Sequence, residues 1–119
     1  MTQRLDGPTT GDYAQRLMQA SDFDNRTSFA TGQKNVTTAG TAEQMATLTI
    51  PSRLAVVIKA KPANGGNIFL GNSKANAESS TVRHTLQANE VVKLYISNLN
   101  LVWIDAATSG EGVEYIVET

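Results

Sequence analysis

Short runs of alternating apolar and polar residues fill the chain after residue 40. The run at residues 54–60 places Leu54, Val56 and Ile58 on one face, because successive side chains of a strand point to opposite faces. Turns rich in Gly, Pro and Asn separate the other predicted strands, at residues 47–50, 68–70, 81–86, 91–97, 101–104 and 113–117. About seven strands at this spacing predict an all-β fold, either an antiparallel β-sandwich or a small barrel.

The start of the chain has a different pattern, in which bulky apolar residues are scattered among polar ones. One short helix is predicted at residues 12–20. Tyr13 and Leu17 lie four positions apart and share one face, and Ala14 and Met18 extend that face. A helix of about nine residues is marginal in water by itself, so this one needs a surface on which to lie.

This change of pattern divides the chain into an N-terminal arm, residues 1–40, and a β domain, residues 41–119. Residues 21–40 have no sustained periodicity and are predicted as loop or extended arm. Because the arm alone buries too little apolar surface to offset its ordering entropy, we expect it to bind a partner. The candidate partner-binding residues are Arg4, Leu5, Tyr13, Arg16, Leu17, Met18, Phe23 and Phe29.

The composition of the 119 residues narrows the classes of function. Hydrophobic residues make up 40% and charged residues 18%, with one His and no Cys. The lack of Cys excludes disulfides, thiolate nucleophiles and Cys-based zinc sites. Ten basic and 11 acidic residues give a net charge of -1, so we expect no general attraction to nucleic acid or to an anionic membrane.

Neither a membrane span nor a secretory signal is predicted. No apolar run approaches the roughly 20 residues needed to cross a bilayer. The first ten residues are polar and lack the apolar core of a signal peptide. The sequence therefore predicts a protein that is made in a cytoplasm and either kept there or carried inside a larger particle.

The single His and two aromatic residues are considered for catalysis and for sugar binding. His84 would act as a general base only with a nucleophile and an orienting carboxylate beside it, and an ordinary packing or surface role is favoured. Trp103 and Tyr95 would form a sugar-stacking platform if they lay side by side, and a buried aromatic cluster is the commoner arrangement.

The acidic and glycine motifs are incomplete. Asp22 and Asp24 lack the further oxygen ligands and the closing Glu of an EF-hand loop. Gly65, Gly66 and Gly71 match no phosphate-binding pattern, and hairpin turns account for them. We therefore predict no catalytic residue, no metal site and no cofactor.

Several segments of the β domain resemble a known class of protein. Residues 57–71 read VIKAKPANGGNIFLG, and the later segments are LQANE, NLN, IDA and SGEGVEY. This succession of hairpins, over about residues 45–118, resembles small β-rich virion proteins of tailed bacteriophages. It contains no catalytic signature.

Within that class, the size and the arm are most similar to capsid decoration, or cement, proteins. The resemblance implies a non-enzymatic structural protein on the capsid surface, often a homotrimer, that binds the major capsid protein. It would stabilise the head by bridging shell subunits through its arm. The alternatives are a tail, fibre or connector module with receptor or glycan binding, and a small hydrolase with His84 as base.

Overall fold

Eight β-strands form two antiparallel four-stranded sheets in the computed structural model, which describes residues 26–119. The strands are β1 (Phe29–Asn35), β2 (Glu43–Gln44), β3 (Val56–Ala60), β4 (Ile68–Gly71), β5 (His84–Leu86), β6 (Val91–Leu94), β7 (Trp103–Ala106) and β8 (Gly112–Glu118). A short helix, α1 (Lys74–Glu78), and a 3-10 helix (Leu99–Leu101) lie between strands. The predicted all-β fold is confirmed, and of its two alternatives, a sandwich or a small barrel, the structure has two separate sheets, as in a sandwich.

The first sheet has the strand order β1-β8-β3-β6. In β3, the alternate residues Val56, Ile58 and Ala60 are fully buried, as the pattern of apolar residues predicts. Val56 is paired with Val117 on one side and with Leu94 on the other, so apolar residues meet across three neighbouring strands. These cross-strand contacts fix the register of the sheet.

The second sheet has the strand order β2-β7-β4-β5 and covers the first one. Ile68 of β4 pairs with Ala106 of β7 and with Leu86 of β5, and all three side chains are buried. Helix α1 packs on the other face of this sheet, against β4 and β7. Gly71 permits that approach, because a Cβ atom there would overlap the backbone of Ala77.

The core lies between the two sheets and is made of the inward-facing strand residues and a few loop residues. Leu99, from the 3-10 helix, is among its largest fully buried side chains. The other large fully buried apolar side chains are Val36, Val56, Ile58, Ile68, Ile104, Val113 and Val117. One contiguous apolar cluster therefore joins both sheets.

Strand β1 is the main difference from the predicted elements. It lies within residues 21–40, which were expected to be loop or extended arm. Its sequence, FATGQKN, has little strand propensity, and its order comes from pairing with β8 along all seven residues. Gly32 faces Tyr115 across this pair and leaves room for the Tyr115 ring, which a Cβ atom would overlap. The first sheet therefore begins ahead of residue 40.

Two further segments differ from the predicted secondary structure. Residues 47–50 are not a strand of either sheet. They make the isolated bridge between Thr49 and Asn98, which backbone hydrogen bonds from Ile50 to Ser97 and from Leu99 to Leu48 flank. Helix α1 lies in the predicted polar loop and begins at Ser73, whose Oγ accepts a hydrogen bond from the Asn76 backbone N–H at 3.1 Å. The predicted helix at residues 12–20 lies outside the described residues.

We expect Gly112→Ala to destabilise the sandwich by about 1–3 kcal/mol, because the added Cβ would overlap the Lys34 carbonyl oxygen of β1. Gly65→Ala is the matched control, since its Cβ would meet only Glu111 Oε2 at an ordinary 3.5 Å. Urea unfolding of the two variants measures the difference. Equal free energies of unfolding would contradict the packing described for β1 and β8.

Candidate functional site

An apolar cleft opens between the sheets along the side where β5 and β6 are the edge strands. Its volume is about 500 Å³. Val92, Leu94 and Ile96 line the side of the first sheet, and Leu70 and Val102 line the side of the second. A concave site with mostly hydrophobic walls is typical of a binding site for an apolar group.

The cleft exists because the two sides of the sandwich are closed differently. On the side of β1 and β2, Val36 and Met45 fill the space between the sheets and are buried. On the side of β5 and β6, Val92 and Leu94 point between the sheets but stay partly exposed. Strand β5 has only three residues, so it is too short to cover them.

The edge strands beside the cleft have free backbone groups. Within residues 26–119, β6 pairs only with β3, and β5 pairs only with β4. Edges of this kind can accept another strand, and exposed charged residues such as Lys93 of β6 oppose uncontrolled pairing. The open side of the sandwich therefore offers both an apolar surface and hydrogen-bonding groups to a polypeptide partner.

Three large exposed apolar side chains lie on the outer face of the first sheet, and a fourth lies in the cleft. Phe29 is 63% exposed and Tyr95 70%, and the register places them in one row at opposite edges of the sheet. Ile116, 42% exposed, lies in the next row of the same face, and Leu101, 49% exposed, lines the cleft. We call these four residues the apolar belt. The exposed Glu118 lies between Phe29 and Tyr95 in their row, so the belt is a set of separate apolar contact points and not one patch.

The structure places one of the predicted partner-binding residues in this surface, namely Phe29 of the apolar belt. The remaining ones lie outside the described residues: Arg4, Leu5, Tyr13, Arg16, Leu17, Met18 and Phe23. Asp22 and Asp24, considered as metal ligands, also lie outside. Sequence reasoning missed Leu94, Ile96 and Leu101 as cleft residues, because a half-buried edge residue has the same pattern as a core residue.

The candidates for chemistry lie apart from one another. His84 is exposed on β5, at the rim of the cleft. Over residues 26–119, no group of His, Cys, Asp or Glu side chains is placed to hold a metal ion. Tyr95 follows β6 of the first sheet and Trp103 belongs to β7 of the second, so they form neither a shared sugar platform nor one buried cluster.

The glycine-rich turn binds a carboxylate from the same chain. Glu111 accepts hydrogen bonds from the backbone N–H groups of Gly65 at 2.6 Å and Gly66 at 2.9 Å. Asn64 joins the same two loops, since its Nδ2 donates to the Gly112 carbonyl oxygen at 2.8 Å. We call these contacts the loop clasp. The loop clasp thus joins two connections between the sheets, the one from β3 to β4 and the one from β7 to β8, and the hairpin predicted for residues 54–70 is not formed.

Further carboxylates fix other loops in the same way. Asp105 is buried, and its Oδ1 accepts hydrogen bonds from the backbone N–H groups of Gly40 at 2.9 Å and Ala106 at 2.8 Å. Glu78 of α1 accepts a hydrogen bond from the Ala42 backbone N–H at 2.8 Å. The hydrogen bond from the Lys74 ammonium, followed by that from Ala42, lowers the pKa of the Glu78 carboxyl.

Among the carboxyls of residues 26–119, Glu43 has the largest pKa shift. The Lys34 ammonium lies 2.8 Å from one carboxylate oxygen, and the Thr37 backbone N–H donates to the other at 2.6 Å. The hydrogen bond from Lys34 and then that from Thr37 lower the pKa of Glu43 to about 2. This ion pair links β1 to β2 on the closed side of the sandwich.

Comparison with protein-family models, with curated proteins and with solved structures finds no match to this chain. In the part of the chain that the structure describes, no helix is long and apolar enough to cross a membrane.

We expect Glu111→Ala to lower the free energy of unfolding by about 1–3 kcal/mol, because two backbone N–H groups lose their charged acceptor. Glu114→Ala is the control, since Glu114 lies on the outer face of β8, opposite Lys59 of β3. Urea unfolding compares the two variants. If Glu111→Ala is no more destabilising than Glu114→Ala, the loop clasp does not hold the two loops together.

The depressed pKa of Glu43 predicts a defined pH dependence. Its stabilising contribution is complete above the ordinary pKa of 4.5 and is lost as the pH falls toward about 2. Glu43→Gln should therefore lower the free energy of unfolding at pH 7, and this difference from the wild type should shrink between pH 4.5 and 2. Glu118→Gln serves as the control. A Glu43 carboxyl that titrates near 4.5 by NMR would contradict the prediction.

Proposed function

We propose that this chain is a structural protein of a tailed-bacteriophage virion. In this proposal it is a decoration, or cement, protein that binds the major capsid protein on the outside of the head. It stabilises the shell by bridging subunits through its N-terminal segment, and it acts as a homotrimer. The observation that carries the proposal is the exposed apolar surface available to a partner, which consists of the four residues of the apolar belt and the cleft between the sheets.

The distribution of functional groups supports a role in binding over one in catalysis. Glu43, Glu78, Asp105 and Glu111 hold loops by accepting backbone hydrogen bonds. The surface that remains for a partner is apolar at the belt and in the cleft, and it has free strand edges. Such a surface binds by area and shape, which is the requirement for a clamp between shell subunits.

A weak contact is sufficient to stabilise the shell when the same clamp is repeated over the whole lattice of subunits. A shell under internal pressure fails where neighbouring subunits separate. A clamp that holds two subunits adds its second contact at high effective concentration, so weak contacts act together. A module with a net charge of -1 is suited to this role, because it has little long-range attraction for the packaged nucleic acid.

A tail, fibre or connector module with receptor or glycan binding is the second candidate. Tyr95 favours it, because an aromatic ring that is 70% exposed can stack on a sugar. Such a module would be present in a few copies per particle, whereas a decoration protein would be nearly as abundant as the major shell protein. Copy number therefore separates the two candidates.

We expect mass spectrometry of purified particles to find this chain in near-stoichiometric amounts relative to the major shell protein. Deletion of residues 1–25 should leave the sandwich folded, because β1 begins at Phe29, and should abolish binding to heads that lack the protein. Co-sedimentation of the full and truncated chains with such heads measures this. Undiminished binding of the truncated chain, or absence of the protein from particles, would overturn the proposal.

A further inference from the structure

We propose that Asn64 is a site of spontaneous deamidation, and that the loop clasp holds it unreactive in the folded chain. Asn64 precedes Gly65, and it is the one Asn in the sequence that a Gly follows. In deamidation the backbone nitrogen of the next residue attacks the side-chain amide, and a glycine hinders this attack least because it has no Cβ. This inference concerns a chemical modification and does not rest on the proposed role on a shell.

The reaction needs only the chain itself and water. The Gly65 backbone nitrogen forms a bond to Asn64 Cγ, the bond from Cγ to Nδ2 breaks, and ammonia leaves with the proton of the Gly65 N–H. The product is a cyclic succinimide. Water then opens the ring at either of its carbonyl carbons, which leaves Asp or isoaspartate at position 64. Both routes replace a neutral amide with a carboxylate.

The loop clasp holds both reacting groups by hydrogen bonds. The Gly65 N–H donates to Glu111 Oε2 at 2.6 Å. The Asn64 amide is bound at both ends to Gly112, whose carbonyl oxygen accepts from Nδ2 at 2.8 Å and whose N–H donates to Oδ1 at 3.3 Å. Ring closure eclipses Cγ with the backbone carbonyl carbon about the Cα–Cβ bond, which is not a stable rotamer. The side chain must therefore turn and release Gly112 before the ring can form.

The backbone on either side of the reacting bond is held as well. The Asn64 N–H donates to the Lys61 carbonyl oxygen at 3.1 Å and closes a turn. The Gly66 N–H donates to Glu111 Oε1 at 2.9 Å. A Cβ atom on Gly66 would lie 2.9 Å from Thr108 Oγ1, so this stretch packs directly on the loop between β7 and β8. The reactive conformation therefore requires local opening of the loop clasp.

Glu111 acts in this arrangement as a restraint and not as a base. A carboxylate is far too weak a base to remove the proton of a backbone amide. Each of its two oxygens accepts one backbone N–H, from Gly65 and from Gly66, and such charge-assisted hydrogen bonds are strong. Loss of the Glu111 carboxylate should therefore free the Gly65 nitrogen and speed the reaction.

Deamidation would also keep the loop clasp from closing again. A carboxylate at position 64 has no N–H to donate to the Gly112 carbonyl oxygen. It adds a negative charge next to the turn that Glu111 binds, and like charges repel. Isoaspartate in addition lengthens the backbone by one carbon. An opening of the clasp that leads to deamidation is therefore irreversible.

Mass spectrometry of the full chain during incubation at mildly alkaline pH tests the proposal. The test variant is Glu111→Ala, and the matched control is Glu114→Ala on the outer face of β8. Trypsin releases residues 60–74, a peptide that contains Asn64 and also the exposed Asn72 beside α1 as an internal reference. Digestion in heavy-oxygen water marks any deamidation that occurs during preparation.

We expect Asn64 to deamidate at least ~10-fold faster in Glu111→Ala than in Glu114→Ala, with the rate at Asn72 unchanged. Adding Gly65→Ala to Glu111→Ala should remove this increase, because the methyl group hinders attack by the backbone nitrogen. The fold tolerates that change, since a Cβ atom on Gly65 has no contact closer than 3.5 Å.

Equal rates at Asn64 in the two variants would overturn the proposal. A slower rate in Glu111→Ala would overturn it by assigning Glu111 as a base. Equal acceleration at Asn64 and Asn72 would also overturn it, since the reaction would then depend on unfolding of the whole sandwich and not on the loop clasp. The measurement uses free protein, so its outcome is independent of binding to a shell.

Discussion

Burial of inward-facing strand residues between the two sheets holds the other parts of the fold in place. Ile58 of the first sheet and Ile68 of the second point into the space between the sheets, and both are fully buried. This apolar layer is complete on the side of β1 and β2 and incomplete on the side of β5 and β6. The asymmetry decides where the molecule has a free apolar surface, and hence where a partner or another part of the chain can bind.

Carboxylates maintain the closed side and the loops, and the hydrogen bonds that they accept are directed to backbone N–H groups. Glu43 and Asp105 bind the loop that follows β1, and Glu111 binds the turn that follows β3. Each carboxylate accepts hydrogen bonds from backbone N–H groups of a loop. These groups have no partner in a strand, so they need an acceptor elsewhere. Four of the seven acidic groups in residues 26–119, namely Glu43, Glu78, Asp105 and Glu111, thereby have a role in the fold.

The sequence predicted well those elements whose pattern is local and apolar. Strand β3 falls within the predicted run at residues 54–60, because alternation with Val and Ile determines both the strand and its buried face. Strand β4 extends the predicted run at residues 68–70 by one residue, Gly71. Strand β1 was missed because its order comes from β8, about 80 residues later in the chain, and not from its own polar sequence. The cleft was missed for a related reason. Whether Leu94 has a neighbour depends on the length of β5, which no pattern around Leu94 contains.

The open side of the sandwich leaves Leu94 partly exposed and Leu101 exposed, beside an edge of β6 that pairs with no strand within residues 26–119. Apolar burial and backbone hydrogen bonds are therefore available at the same place. A strand from a neighbouring subunit that paired along this edge would cover both side chains and satisfy the free backbone groups of β6. The short β5 thus leaves the sandwich one side on which a partner strand would gain both kinds of contact.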